Sequence, residues 1–230
     1  MFKTFFVASF LEQKKTLIQL LHESQARADF HFLLAIATFI ATLGLITDNA
    51  GITIGGILIT PILFPLLSLA MGVVTSSPLA IGRALKIIFR SMVLVYIVSL
   101  ATAFLFSSNV AGDEILLRIR PDLIMFLISL ASGLAVAYAW VKQDLSATLP
   151  GVAVSVSLLP PLCAVGIGTV MMNRVVVAGG LTLFLIDLLA IVIGAIIAFA
   201  LFGFSRLQKE EEEKIVEEQM EEKVQAKARK

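Results

Sequence analysis

Six stretches of this chain are apolar almost without interruption, at about 31–47, 51–75, 87–107, 122–141, 148–172 and 175–204, and polar joints separate them. A helix needs roughly 17–25 mostly apolar residues to cross the hydrocarbon core of a bilayer, so the pattern predicts six transmembrane helices, the first short and the last long. Ahead of them the spacing changes. Phe2, Phe6, Phe10, Leu17 and Leu21 recur at helical intervals through charged positions, as in an amphipathic helix lying on a membrane surface. The opening "MFKTFFVASFLEQKK" has the basic residue and apolar run of a secretory signal, but no small-residue cleavage motif closes it. After Gly203 comes "SRLQKEEEEKIVEEQMEEKVQAKARK", with eight glutamates and seven cations. Glu210 and Lys214, four residues apart, favour a helix there, and Val216, Met220 and Val224 make a thin apolar stripe too brief for a sustained coiled coil. The expected organisation is therefore an amphipathic cytoplasmic segment (1–30), a six-helix membrane domain (31–204) and a charged cytoplasmic helix or solvated tail (205–230).

Composition strengthens the membrane reading. Of 230 residues, 58% are hydrophobic and 15% charged, with a mean hydropathy of +0.96, far from the make-up of a soluble domain. The net charge of +1 conceals an asymmetry: with the amino terminus inside, fifteen of the eighteen cations fall on inner segments and only Arg118, Arg120 and Arg174 on outer ones. The positive-inside rule then puts both termini in the cytoplasm and the protein in the cell membrane as a multi-pass protein. Cys163 is the sole cysteine and has no intrachain disulfide partner.

Laying "AGITIGGILITPILFPLLSLAMGVV" over "SATLPGVAVSVSLLPPLCAVGIGTV" aligns Gly55 with Gly151, Pro65 with Pro161, Leu66 with Leu162 and Gly72 with Gly168, an offset of 96 residues without gaps. Units of three helices each, an odd number, must face opposite ways in the membrane. The fold expected is thus all-α, with six transmembrane helices as two inverted three-helix repeats, a plan frequent among secondary transporters.

Five of the seven prolines, Pro61, Pro65, Pro150, Pro160 and Pro161, lie in helices two and five. Proline removes a backbone donor and its ring collides with the carbonyl four residues earlier. Helices two and five are therefore expected to be interrupted, freeing the carbonyls of Ile57 and Pro61 in one and of Val156 and Ser157 in the other. Freed carbonyls in lipid need a partner, and a cation or solute can supply it. The competing reading is a pair of simple kinks satisfied by neighbouring helices. Cys163, beside the double proline, is expected to adjoin water.

Asp187, in "LTLFLIDLLAIVIGA", is the one charged side chain deep inside a predicted span. A carboxylate at that depth costs about 3 kcal/mol or more and turns to a bundle interior or a water path. Gly180, Ala190, Gly194 and Ala198 share its face, a small-residue stripe suited to close packing. It serves either as a coupling site or as a hydrogen-bonded tie between helices. Ser91, Ser99 and Thr102 line one face of helix three. His22 and His31 lack the spacing of metal ligands, and no nucleophile–base pair, nucleotide loop or zinc motif is present. No metal, cofactor, nucleic acid or enzymatic role is expected.

Together, "ATLGLITDNAGITIGGILITPILFPLL", "LPGVAVSVSLLPPLCAVGIG" and "LFLIDLLAI" resemble the bacterial and archaeal membrane family known as domain of unknown function 389, over roughly residues 30–204. The resemblance implies a six-helix hydrophobic domain in the cell membrane. Many members carry an additional soluble domain, whereas this sequence reads as the membrane core with charged ends. The position of Asp187 is usually asparagine in the family, so a protonation role here would not extend to it. The function expected is an oligomeric transporter of a small solute or ion, with Ile57, Pro61, Pro65, Val156, Ser157, Pro160, Pro161 and Asp187 as the site. An ion channel, or a membrane scaffold that binds lipid, is the alternative.

Overall fold

The computed structural model describes residues 8–25, 27–106, 112–142 and 148–228, with side chains placed outside 148–156 and 221–228. Among the described residues regular structure is helical throughout: α1 (Phe10–Glu23), α2 (Ala28–Ile46), α3 (Ala50–Ile59), α4 (Leu63–Thr75), α5 (Pro78–Phe106), α6 (Asp113–Leu117), α7 (Leu123–Val141), α8 (Thr148–Val170), α9 (Arg174–Leu201) and α10 (Gln208–Ala228), with a 3-10 turn at Phe204–Arg206. Four of these, α2, α5, α7 and α9, are each long and apolar enough to cross a bilayer, and the bent pair α3–α4 makes a fifth. The expected sixth span corresponds to the 23-residue α8, whose segment with described side chains, Ser157–Val170, is apolar.

Three turns are built alike: α2 to α3 through Gly44–Asn49, α4 to α5 through Gly72–Ser77, and α8 to α9 through Gly168–Asn173. Four residues after each glycine the backbone turns left-handed, at Asp48 (φ 53°), Ser76 (φ 58°) and Met172 (φ 51°). The next amide, of Asn49, Ser77 or Asn173, then bonds back to the glycine carbonyl at 2.9 Å. This is the closing bond of a Schellman helix ending. The same three residues cap the following helix, accepting from Ile52 N–H (3.1 Å), Ala80 N–H (3.2 Å) and Val175 N–H (3.1 Å). Glycine suits these positions because the returning helix crosses over it. A Cβ would stand 2.4 Å from Thr53 N on Gly44, 3.1 Å from Ile81 N on Gly72 and 3.0 Å from Val177 N on Gly168.

The second and third of these turns are 96 residues apart and sit at opposite ends of the bundle. Thr75, closing α4, bonds to Glu211 of α10, and Arg83 of α5 pairs with Glu218 at 2.8 Å. Gln13 Nε2 of α1 donates to the carbonyl of Phe202, just past α9, at 2.8 Å, and α1 packs on α4 and α10. The close of α9 and the α4–α5 turn therefore share one end with α1 and α10. The α8–α9 turn precedes the 28-residue α9 and lies about 42 Å away along it. At that far end Gly179 packs on the Ile119 carbonyl, and Asp48 Oδ1 accepts from the Glu114 amide of α6 at 2.7 Å.

The core runs through α4 and α8. Every residue from 158 to 168 is buried, as is every residue from 62 to 72 except the half-buried Phe64. α8 packs against α2, α3, α5, α7 and α9. This enclosure corrects the expectation of an interrupted fifth helix, because α8 continues through Pro160 and Pro161. Proline is tolerated in a membrane helix where neighbouring helices can satisfy the freed backbone groups, and a helix enclosed on all sides meets that condition.

The terminal segments also differ in part from expectation. In α1, Leu17, Leu20 and Leu21 are buried while Phe10 and Leu11 are exposed, so the helix packs on the bundle as well as facing outward. Phe2 and Phe6 lie outside the described residues. The charged segment, expected as a helix or a tail, is helical over Gln208–Ala228, and Leu207, Glu211, Ile215 and Glu218, on one face of its start, are buried. Val216 and Met220, two of the three stripe residues, are exposed, and the side chain of Val224 lies outside the described residues.

Candidate functional site at the helix break

The break in helix two is local and follows from its sequence. A residue before proline is pushed out of the helical region, and Thr60, preceding Pro61, is extended at φ −71°, ψ 130°. α3 ends there, and α4 leaves at 56° to it. The Ile57 carbonyl, expected to be open, accepts the Thr60 amide at 3.2 Å. Pro65 occupies the third position of α4, where an amide has no partner inside the helix in any case, so it interrupts nothing. The unpaired group is the hydroxyl of Thr60, a residue 9% exposed; the oxygen itself is buried and makes no hydrogen bond among the described residues. A buried hydroxyl without a partner costs on the order of 1–3 kcal/mol.

The double proline lies in the unbroken α8 that packs on α3. Pro160 and Pro161 are buried. α9 comes close to them, because a Cβ on Gly180 would stand 2.7 Å from the Pro161 carbonyl oxygen. Ser157 is half-buried and has an interaction partner, and the side chain of Val156 lies outside the described residues. Cys163 does not adjoin water here. It is fully buried in the core.

Asp187 belongs to a different seam. It is 3% exposed, and its Oδ1 accepts a hydrogen bond from Ser129 Oγ of α7 at 2.9 Å. Small residues on both helices allow the close approach: Cβ atoms on Gly133 and Gly194 would each stand 2.1 Å from a carbonyl oxygen of the facing helix, Ile191 and Leu130 respectively. The predicted stripe on α9 is thus divided, Gly194 serving α7 and Gly180 serving α8. Seven residues separate Asp187 from Gly180, about 10 Å along the axis, so the carboxyl group and the Pro161 carbonyl lie at different levels of α9.

The structure brings Ile57 and Pro61 to the break and sets Pro160 and Pro161 in the helix against which α3 packs. It leaves Asp187 with Ser129. On α5, Ser91 and Thr102 donate to the carbonyls of Ile87 and Val98 in their own helix, and Ser99 to that of Tyr96. Among the described residues no group of three or more His, Cys, Asp and Glu is placed to hold a metal. Two residues were missed by sequence reasoning. Thr60 was detectable as the residue before Pro61, whereas Ser129 carries no local signal linking it to a residue 58 positions away.

The chain is 28% identical over 184 residues to an uncharacterized protein, MJ0678, of Methanocaldococcus jannaschii. The match covers 78% of this chain and 57% of that protein, so the chain spans little more than half of its relative's length. No solved structure matches. Residues 57–193, which hold the helix break, the double proline and Asp187, match the domain of unknown function DUF389, and the chain belongs to that family of polytopic membrane proteins.

Proposed function

We propose that this protein carries a small solute or ion across the cell membrane, through a site at the Thr60–Pro61 break beside α8. The observation that carries the reading is the buried, unpaired Thr60 hydroxyl at the bend of an interrupted helix. Interrupted helices in membrane bundles supply polar groups where a ligand is held. Two features in keeping with an inverted repeat support it further. The Gly72 and Gly168 turns match bond for bond at an offset of 96 residues and lie at opposite ends, and the buried runs 62–72 and 158–168 stand at the same offset. On this reading α2, α3–α4, α5, α7, α8 and α9 make six crossings. Both termini are cytoplasmic, on the end that carries most of the cations. The site has no enzymatic role.

Labelling tests the site directly. In a Cys163→Ser background, Thr60→Cys is expected to react with a small membrane-impermeant thiol reagent in proteoliposomes, and complete protection of the folded protein would refute the site. With sodium, potassium, chloride and phosphate as flux probes, saturable movement abolished by Thr60→Val supports a transporter. Unitary currents would assign the protein to the channels instead.

A further inference from the structure

On the α10 side of the bundle, a groove of about 530 Å³ lies between the start of α5 and α10, lined by Leu79, Gly82, Arg83, Lys86, Arg90 and Gln219 among others. Arg83, Lys86 and Arg90 are spaced by three and four residues and so share a helix face. They differ in how they are held. Arg83 is largely buried and fixed by Glu218 at 2.8 Å, whereas Lys86 and Arg90 are exposed and make no ion pair among the described residues. Among the described residues the groove therefore presents two cations without an ion pair, on a wall whose third cation is anchored. Its floor is open at Gly82, where a Cβ would meet nothing within 4 Å.

The same face continues along α5 as exposed apolar side chains, Phe89 (66%), Val93 (41%) and Ile97 (55%). Positions 82, 86, 90, 93 and 97 follow one another at three- and four-residue steps, so the basic groove opens directly onto an apolar track. A free anion would need the cations and not the track. An amphiphile with a phosphate at its head and a hydrocarbon chain needs both, and basic pockets between membrane helices take such headgroups. We propose that this groove binds one anionic phospholipid of the leaflet on the α10 side, its phosphate between Lys86 and Arg90 and an acyl chain along Phe89, Val93 and Ile97. The site is separate from the Thr60 break, and its occupant is a structural or regulatory ligand.

The test is native mass spectrometry of the full chain in detergent, titrated with phosphatidylglycerol and, separately, phosphatidylcholine of the same chains. The expected result is at least a tenfold preference for phosphatidylglycerol, lost in Lys86→Gln/Arg90→Gln and retained in an Arg174→Gln control at the far end. Gly82→Leu fills the groove without changing charge and is expected to weaken phosphatidylglycerol binding as well, which keeps the proposal testable if the double variant fails to fold. Equal binding of the two lipids, or a preference that survives both the double variant and Gly82→Leu, would overturn it. Displacement of the lipid by millimolar glycerol 3-phosphate would assign the groove to a free phosphate compound and also overturn it.

Discussion

Ser129 Oγ and Asp187 Oδ1 are 2.9 Å apart across the α7–α9 seam, and this bond holds a carboxyl group where the two backbones are pressed together by glycine. The amide of Asp187→Asn preserves both the acceptor oxygen and the volume, so this variant is expected to keep its melting temperature within a few degrees. Ser129→Ala leaves a buried oxygen unpaired and is expected to cost about 1–3 kcal/mol. Thermal unfolding in detergent reads both. If Asp187 also couples transport to a proton or cation, Asp187→Asn abolishes the pH or cation dependence of flux in proteoliposomes. Identical profiles would restrict Asp187 to tying α7 to α9.

The docking of α10 is expected to weaken as pH rises. Burial pushes the Glu211 carboxyl up to about 7 from its ordinary 4.5, against the opposing hydrogen bond from Thr75, while Glu212 adds to the rise. The docked state thus holds a proton that the solvated helix has released, so the stabilisation is full below about 4.5 and is lost as pH climbs through about 7. Limited proteolysis of the 205–230 segment should accelerate between pH 5 and pH 8.5. Glu211→Gln should remove that dependence and leave α10 docked at both.

Glycine substitutions separate close packing from open surface. Gly133→Ala drives a methyl group to 2.1 Å from the Ile191 carbonyl oxygen, whereas Gly55→Ala meets nothing within 4 Å. The first is expected to cost 1–3 kcal/mol, at about the scale of core overpacking, or more if α7 and α9 cannot separate. The second is expected to be neutral or slightly stabilising through helix propensity. Melting temperatures of the purified variants decide this.

Topology is open to a paired reporter assay. A reporter active only in the cytoplasm should work when fused after Lys230. One active only outside should work when inserted after Met172, which is 91% exposed in the far-end turn. Activity of the same reporter at both sites would rule out the six-crossing reading.

The features legible in the chain alone are local. The apolar runs marked α2, α7 and α9 closely, because length and hydropathy suffice to define a membrane helix, but placed the start of α5 at 87 instead of Pro78, since its first turns carry Arg83 and Lys86. The break at Thr60 also follows from one dipeptide, since proline restricts the residue before it. Gly72 and Gly168 were legible as small residues near a helix end, and at each a returning helix crosses close by. Whether a local cost is met by neighbours depends on packing between distant helices. Pro160 and Pro161 resemble Pro61 in sequence, yet α8 runs straight through them because other helices enclose it, with Gly180 of α9 against the Pro161 carbonyl. Asp187 was legible as a buried carboxyl group, but its partner Ser129 was not, because a hydrogen bond between distant helices leaves no periodic trace. Docking of α10 escaped the sequence for a related reason: the buried face Leu207, Glu211, Ile215 and Glu218 is half acidic, and only Thr75 and Arg83 across the interface make its burial favourable.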